Sequence, residues 1–403
     1  MLIVCSFNVL AENAEETDAI DAVSDLSLKD IVEAALQKDL RLKRTENFRA
    51  QGQSYSAMSQ RLYSGPASIA LHHQNDAVTN GPGLREWEAN LEVPLWRMKQ
   101  RSAAGAVGSS YTDYAEHYKA YIQLQVAGAV RQAIWDLVLA EQRVKLAEQA
   151  LNDANKLVRE VDLRVKAGDL SQNERLLAKE DALAKEYVLV AARIETVYAG
   201  EKYEALTGLS ERPVNIQEAI SKQVKIPENH PYLREINARI AQAQSQLALL
   251  KHSRGQATML TLGARNEKAA ASEADITSIG IGIILPFDTT VFQQPAIANA
   301  EATISELLSE RTKLKRQLKL DHHKAEHELD SAHLQSEIAD RKNNVVQESL
   351  QKIHAAFKAG ELDLNELILA QARAQTASRQ LQLRQLEEQR AIANFNQTLG
   401  ELP

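Results

Sequence analysis

Lys166-Ala167-Gly168-Asp169-Leu170 recurs 192 positions on as Lys358-Ala359-Gly360-Glu361-Leu362. Each copy closes one long stretch poor in helix breakers and opens another. Between Ala296 and Ala359, about 64 residues, there is neither glycine nor proline. As one helix that stretch spans roughly 95 Å at 1.5 Å per residue. Its twin runs from about Ser102 to Ala167, with Gly105, Gly108 and Gly128 as the weak points. A glycine just past a helix end supplies the left-handed residue that stops it, and Lys166 and Lys358 complement the C-terminal dipole. The return segments, Leu170 to Thr207 and Leu362 to Leu399, are again helical in pattern. Leu364, Leu367 and Ile368 show the three-to-four spacing of an apolar face opposite a charged one. The sequence therefore predicts two antiparallel helical hairpins with Gly168 and Gly360 at their tips.

The same offset relates Pro94 to Pro286, Ala104 and Ala106 to Ala296 and Ala298, and Asn173-Glu174 to Asn365-Glu366. It also relates Tyr203 to Phe395 and Gly208 to Gly400. Two copies make a duplicated domain, not a solenoid. A helix from Ser27 to about Tyr63 precedes the first hairpin, and one from Pro231 to Lys251 precedes the second. Strands follow each. Trp87, Ala89, Leu91, Val93 and Leu95 alternate with Glu86, Glu88, Asn90 and Glu92; Ile279, Ile281, Ile283 and Leu285 alternate with Ser278, Gly280 and Gly282. Period-two alternation gives a sheet with one apolar and one polar face. The strands have the 9–11 residues that a tilted transmembrane strand needs, and no globular core is on offer to cover their apolar face. Four strands cannot close a barrel, because the smallest bacterial barrels have eight. A membrane reading thus requires an oligomer.

Aromatic residues are 5% of the chain, with 16 Gly and 9 Pro in 403 residues, the makeup of long helices. A net charge of −7 leaves no electrostatic footprint for nucleic acid. The one cysteine, Cys5, excludes an intramolecular disulfide. Residues 1–11 form a short apolar run with Val9 and Ala11 suited to a signal-peptidase site, but without a basic start. No run of about 18 apolar residues offers a membrane helix. There is no Gly-rich phosphate loop, no Gly-x-Ser-x-Gly and no Cys–His pairing, so neither an enzyme nor a cofactor is expected. His323 and His327 share a helix face at a spacing that can hold a metal. A third ligand is missing from the pattern, so a solvated helix face is the plainer reading.

Taken in order, the junctions Val93-Pro94-Leu95-Trp96 and Leu285-Pro286-Phe287-Asp288 resemble the TolC family of outer-membrane efflux proteins. The alanine-rich helix starts, the two tips and the ends at Leu206-Thr207-Gly208 and Thr398-Leu399-Gly400 carry the same resemblance. It covers nearly everything after the first eleven residues. It implies a mainly α chain with membrane β-strands, whose duplicated hairpins and four β-strands form an oligomeric α-barrel/β-barrel duct. The implied organisation is a partial signal peptide at 1–11 and a first repeat at 12–209. In that repeat strands fall near 66–74 and 84–95 and the hairpin near 102–207. A linker at 210–229 precedes the second repeat at 230–403, with strands near 256–264 and 275–285 and the hairpin near 296–399. The implied assembly is a homotrimer in the outer membrane with a long periplasmic extension, working with a periplasmic adaptor and an inner-membrane pump.

Site expectations follow. Ala167, Gly168, Asp169, Leu170, Ala359, Gly360, Glu361 and Leu362 are the candidate adaptor-docking tips. Glu174, Asp363 and Glu366 would form an acidic ring at the tunnel mouth, although carboxylates at helix starts also simply complement the dipole. Glu86, Glu88 and Glu92 would face the barrel lumen. Two other functions compete: a periplasmic coiled-coil adaptor or scaffold, and a duct for type I secretion. Two equivalent hairpins and membrane-length strands speak against the adaptor.

Overall fold

The computed structural model describes residues 20–78, 81–253, 255–287 and 290–403. The apolar run at 1–11 lies outside the described residues. In chain order the elements are β1 (Asp21–Val23), α1 (Leu28–Lys38), α2 (Arg41–Gln60), β2 (Ser68–Asn75), β3 (Arg85–Leu95), α3 (Gln100–Ala167) and α4 (Gln172–Thr207). Then come β4 (Glu211–Pro213), α5 (Pro231–Ser253), β5 (Thr258–Lys268), β6 (Ile276–Ile284), α6 (Thr290–Lys358) and α7 (Leu364–Thr398). Helices α3 and α6 have 68 and 69 residues, and their returns α4 and α7 have 36 and 35. The duplicated hairpins and four antiparallel sheet strands are those expected.

Boundaries moved in three places. The helix expected from Ser27 to Tyr63 is two, because Asp39 turns extended (φ −77°, ψ 106°) and its N–H bonds back to Leu36. A carboxylate at a helix C-terminus opposes the dipole, so the break falls there. Strand β5 continues through Arg265–Lys268, which read as a loop because all four residues are polar. Long-range pairing to β3 carries it on. Helix α6 starts at Thr290 and carries Pro295 in its second turn, where the ring leaves the Val291 carbonyl without its i→i−4 donor.

The chain forms two compact units, one of Met1–Leu40, Ile122–His230 and Arg316–Pro403, the other of Arg41–Tyr121 and Pro231–Lys315. Each unit takes residues from both copies, so the spatial division cuts across the duplication.

In the first unit, β1 pairs in parallel with β4. Ser27 starts α1 through a capping box with Asp30. Ile122, Ile134, Trp135 and Leu137 of α3 are buried. Arg131 is buried with them and forks onto Glu218 at 2.8 and 2.6 Å, while also donating to Gln397 and the Glu401 carbonyl. A buried cation needs such a complete set of acceptors. Here it ties the connector after β4 to the end of α7. His230 is also buried, which holds its imidazole down from the usual 6.5 to about 4.

In the second unit, Gly52 of α2 meets Gly108 of α3. A Cβ at Gly108 would come within 2.9 Å of the Gly52 carbonyl oxygen, so only glycine allows this approach. Tyr111, Tyr114 and Tyr118 line one face of α3 against Phe48 and Tyr55 of α2. The Tyr114 hydroxyl donates to Glu235 of α5 at 3.1 Å, and burial raises the Glu235 carboxyl above its usual range.

Candidate functional site: an outward-apolar sheet and two helical tips

The sheet order is β2-β3-β5-β6, antiparallel throughout. The central pairing, β3 with β5, joins the two copies of the duplication. The register sets Ile69, Leu91, Leu262 and Ile281 in one row across the strands, and Leu71, Ala89, Ala264 and Ile279 in the next. All these side chains share one face, and that face is uncovered: Ile279 is 86% exposed, Ile281 75% and Leu71 75%. Along β3 every odd-numbered residue from Arg85 to Leu91 is exposed, and every even-numbered one from Glu86 to Glu92 is half-buried. This inverts the usual arrangement of a soluble sheet, in which the apolar face is the covered one.

The polar face supports itself. Arg265 of β5 pairs with Glu86 at 2.8 Å and with Glu267 at 2.6 Å. Asn90 donates to Glu88 at 2.8 Å, and Ser68 donates to Glu92 at 3.1 Å. Glu86, Glu88 and Glu92 thus lie together on the polar face as the alternation predicts. The charge of Glu86 is compensated by an arginine that sequence reasoning did not pair with it. Strands β2 and β6 are the two edges of the sheet.

The tips close identically. Gly168 has φ 85°, its N–H donates to Val165 at 3.1 Å, and the Asp169 N–H donates to Arg164 at 2.9 Å. Gly360 has φ 78°, with donors Gly360 to Phe357 at 3.1 Å and Glu361 to Ala356 at 2.9 Å. This is the same Schellman closure twice. Nothing lies within 4 Å of a Cβ built on either glycine. Ala167, Asp169, Ala359 and Glu361 are exposed around them.

Beyond the turns, the acidic residues cap helices. The Glu174 carboxylate accepts the Ser171 N–H at 2.6 Å, and the Asp363 carboxylate accepts the Glu366 N–H at 2.9 Å. Leu170 and Leu362 are half-buried. Leu170 packs on a cluster of Leu157, Val161, Ala178, Phe357, Leu364 and Leu367 that draws on both hairpins. The Arg164 guanidinium lies 4.7 Å from the centre of the Phe357 ring. This lock between the tips was not read from the sequence, where Phe357 stands opposite Val165.

His323 and His327 are exposed with ring centres 4.4 Å apart. Among the described residues no group of three or more His, Cys, Asp or Glu could hold a metal ion. Neither is any helix among them long and apolar enough to cross a membrane.

No protein-family model matches the sequence, and no curated protein matches it. Solved structures do. The outer-membrane protein VceC of Vibrio cholerae is 16% identical, with 93% of this chain and 96% of that one covered at a TM-score of 0.72. CusC, described for its transmembrane channel formation, is 15% identical over 95% and 93% at 0.72. The outer-membrane channel OprN is 17% identical over 93% and 89% at 0.71. The chain has the fold of these channels, the fold implied by its resemblance to the TolC family.

Proposed function

We propose that the chain is one subunit of a homotrimeric outer-membrane duct, a passive exit for substrates that an inner-membrane pump delivers through a periplasmic adaptor. The observation that carries this reading is the sheet, whose apolar rows are bare on all four strands while the polar residues of the central strand β3, Glu86 to Glu92, are half-buried. Hydrocarbon is the medium in which that arrangement is stable. It also requires closed edges, since an unpaired strand edge in lipid leaves its N–H and C=O groups without partners. Pairing β6 of one copy with β2 of the next closes the sheet, and three copies supply twelve strands. On this reading the duplicated halves, 12–209 and 230–403, are the two repeats of the subunit, and the adaptor meets the exposed tips at Ala167, Gly168, Asp169, Ala359, Gly360 and Glu361.

The helices support self-association from a second side. Helix α4 packs along α3 through Arg143–Glu195, Arg193–Glu148 and Lys202–Asp136. Its other side exposes Leu176, Leu183, Tyr187, Val190, Ile194 and Tyr198. Helix α6 exposes Leu320, Leu334, Ile338 and Val345. Two different uncovered stripes on one chain suit a head-to-tail contact, the kind that generates rings.

Fractionation followed by native mass measurement tests the proposal. Recovery in the outer membrane at three times the subunit mass is expected. Recovery as a soluble periplasmic monomer would end it. In the same membranes, Ala167→Arg with Ala359→Arg should leave the trimer intact and abolish cross-linking to the adaptor; unchanged cross-linking would remove docking from the tips.

A further inference from the structure

The chain carries a template for the contact between one copy and the next. Within a single chain, α3 of the first half of the duplication runs antiparallel to α7 of the second: Arg131 meets Gln397, Asp136 meets Arg390 and Gln142 meets Gln382. At the constant offset, α6 is the counterpart of α3, and α4 is the counterpart of α7. In a head-to-tail ring these two counterparts, each bare on one side, meet across the subunit boundary, and the contact inside the chain sets their register. Carried over by the offset, Gln142 and Gln382 become Leu334 and Val190, while Asp136 and Arg390 become Glu328 and Tyr198. Leu334, Val190 and Tyr198 are all exposed in the single chain.

One place in this seam is not apolar. At 3.6 residues per turn, Leu320, His323, His327, Leu334, Ile338 and Val345 of α6 fall within an arc of about 60°. His323 and His327 are both exposed, one turn apart, with ring centres 4.4 Å apart. On α4, Glu201 continues the stripe of Leu183, Val190, Ile194 and Tyr198; it is exposed and has no ion pair among the described residues. The template sets Glu201 against the two histidines. His323 corresponds to Arg131, and Glu201 corresponds to Ala393, one turn from the Gln397 that Arg131 meets. The tips give the same level: His327 precedes Gly360 by as many residues as Glu201 follows Gly168, about 50 Å from the tip in each case. The counterparts Arg131, Trp135 and Ala393 are buried within the chain, so these positions face into the helix contact.

Two histidines one turn apart on a helix grip an ion from the same side, and a carboxylate as third ligand completes the two-histidine, one-glutamate set of a zinc site. Glu326 lies 3.5 Å from Nδ1 of His323, where a carboxylate orients a metal-ligating ring and leaves its Nε2 for the ion. Within one chain the set stays incomplete, since no group of three such residues forms among the described residues.

We propose that His323 and His327 of one copy and Glu201 of the next form a divalent transition-metal site at each subunit boundary, with zinc the ion that these ligands suit. The site rests on the homotrimer reading and adds to it a register and a ligand: three sites per trimer, none in a lone chain.

The full chain, carrying Cys5→Ser to remove a stray thiolate, is purified from membranes and titrated with zinc alone under native mass spectrometry. Three zinc ions per trimer are expected, with affinity at least tenfold weaker in Glu201→Gln and in His327→Ala. Register is read separately with a short bismaleimide. Glu201→Cys with His327→Cys should link subunits on denaturing gels, whereas Glu201→Cys with Leu334→Cys, two turns away, should not. Trimers that link at 201 and 327 but bind zinc equally with and without the Glu201 carboxylate overturn the metal site and keep the seam. Trimers that do not link there have another register, which overturns the site and leaves the homotrimer standing. Recovery of the parent chain as a monomer brings down the homotrimer reading together with the site.

Discussion

The two return helices, α4 and α7, are copies that ended up in opposite surroundings. At the constant offset, Leu176, Leu183, Tyr187, Val190, Ile194 and Tyr198 of α4 correspond to Ile368, Gln375, Arg379, Gln382, Leu386 and Arg390 of α7. Helix α7 lies between α3 and α6, and its polar residues find partners on both. Gln382 pairs with Gln142 and Arg390 with Asp136 on one side; His333 of α6 pairs with Glu388 and Lys342 with Gln380 on the other. Helix α4 has α3 on one side and a bare apolar stripe on the other. The duplication therefore kept the backbone and the tips, while the side chains diverged according to whether the neighbour belongs to the same chain. An apolar stripe that no element of the chain covers marks where a neighbour is to come.

The largest effect should come from breaking that stripe. Tyr187→Asp with Ile194→Asp should abolish the oligomer while leaving monomer stability within about 0.5 kcal/mol, because neither side chain is covered within the chain. Native mass spectrometry alongside denaturant unfolding reads both quantities. A trimer that persists would mean that α4 is not at the subunit boundary.

The tips sharpen the comparison at the next level. Phe357→Ala should cost about 3–5 kcal/mol and Val165→Ala about 1 kcal/mol, since Phe357 is fully buried in the shared cluster and Val165 only half-buried at its edge. Equal costs in urea unfolding would show that the second tip does not anchor the first. Smaller still, Gly168→Ala and Gly360→Ala should each cost about 1 kcal/mol, and equally, because both sit at positive φ in open space. A difference of more than about 0.5 kcal/mol between them would contradict the equivalence of the two closures.

What the chain discloses on its own follows from the range of the interactions. The tips and strands were legible because their signals are local: Gly168 and Gly360 at helix ends, and strict alternation from Glu86 to Leu95. The break at Asp39 was missed because the apolar pattern continues on both sides of it. The polar tail of β5, Arg265 to Lys268, is a strand through its pairing with Arg85 to Glu88, far away in sequence. Leu170 looked like an exposed contact, yet it is half-buried against the cluster that both hairpins build. The Gly52–Gly108 approach, the Arg131–Glu218 pair and the Arg265–Glu86 pair join residues that no spacing relates.

The smallest predicted effect concerns the contact between α6 and α7. The hydrogen bond from Glu388 raises the His333 imidazole above its usual 6.5, with the charges of Glu388, Glu337 and Asp330 adding to it. That contact contributes stability fully below the unfolded value and loses it as pH rises through the folded one. Glu388→Gln should lower the His333 titration midpoint seen by NMR; an unchanged midpoint would remove Glu388 as the cause. The corresponding pair of positions on the first copy, Glu141 and Thr196, is not an ion pair and should give no such signal.

The central claim is that the bare face of the sheet meets lipid. Ile281→Lys and Ser278→Lys lie three residues apart on β6 and on opposite faces, so outer-membrane assembly of these two variants tests it most directly. The account predicts that Ile281→Lys costs about 2–4 kcal/mol near the bilayer midplane and sharply reduces assembled channel, while Ser278→Lys assembles like the parent. Equal assembly of the two, or failure of Ser278→Lys alone, would contradict it.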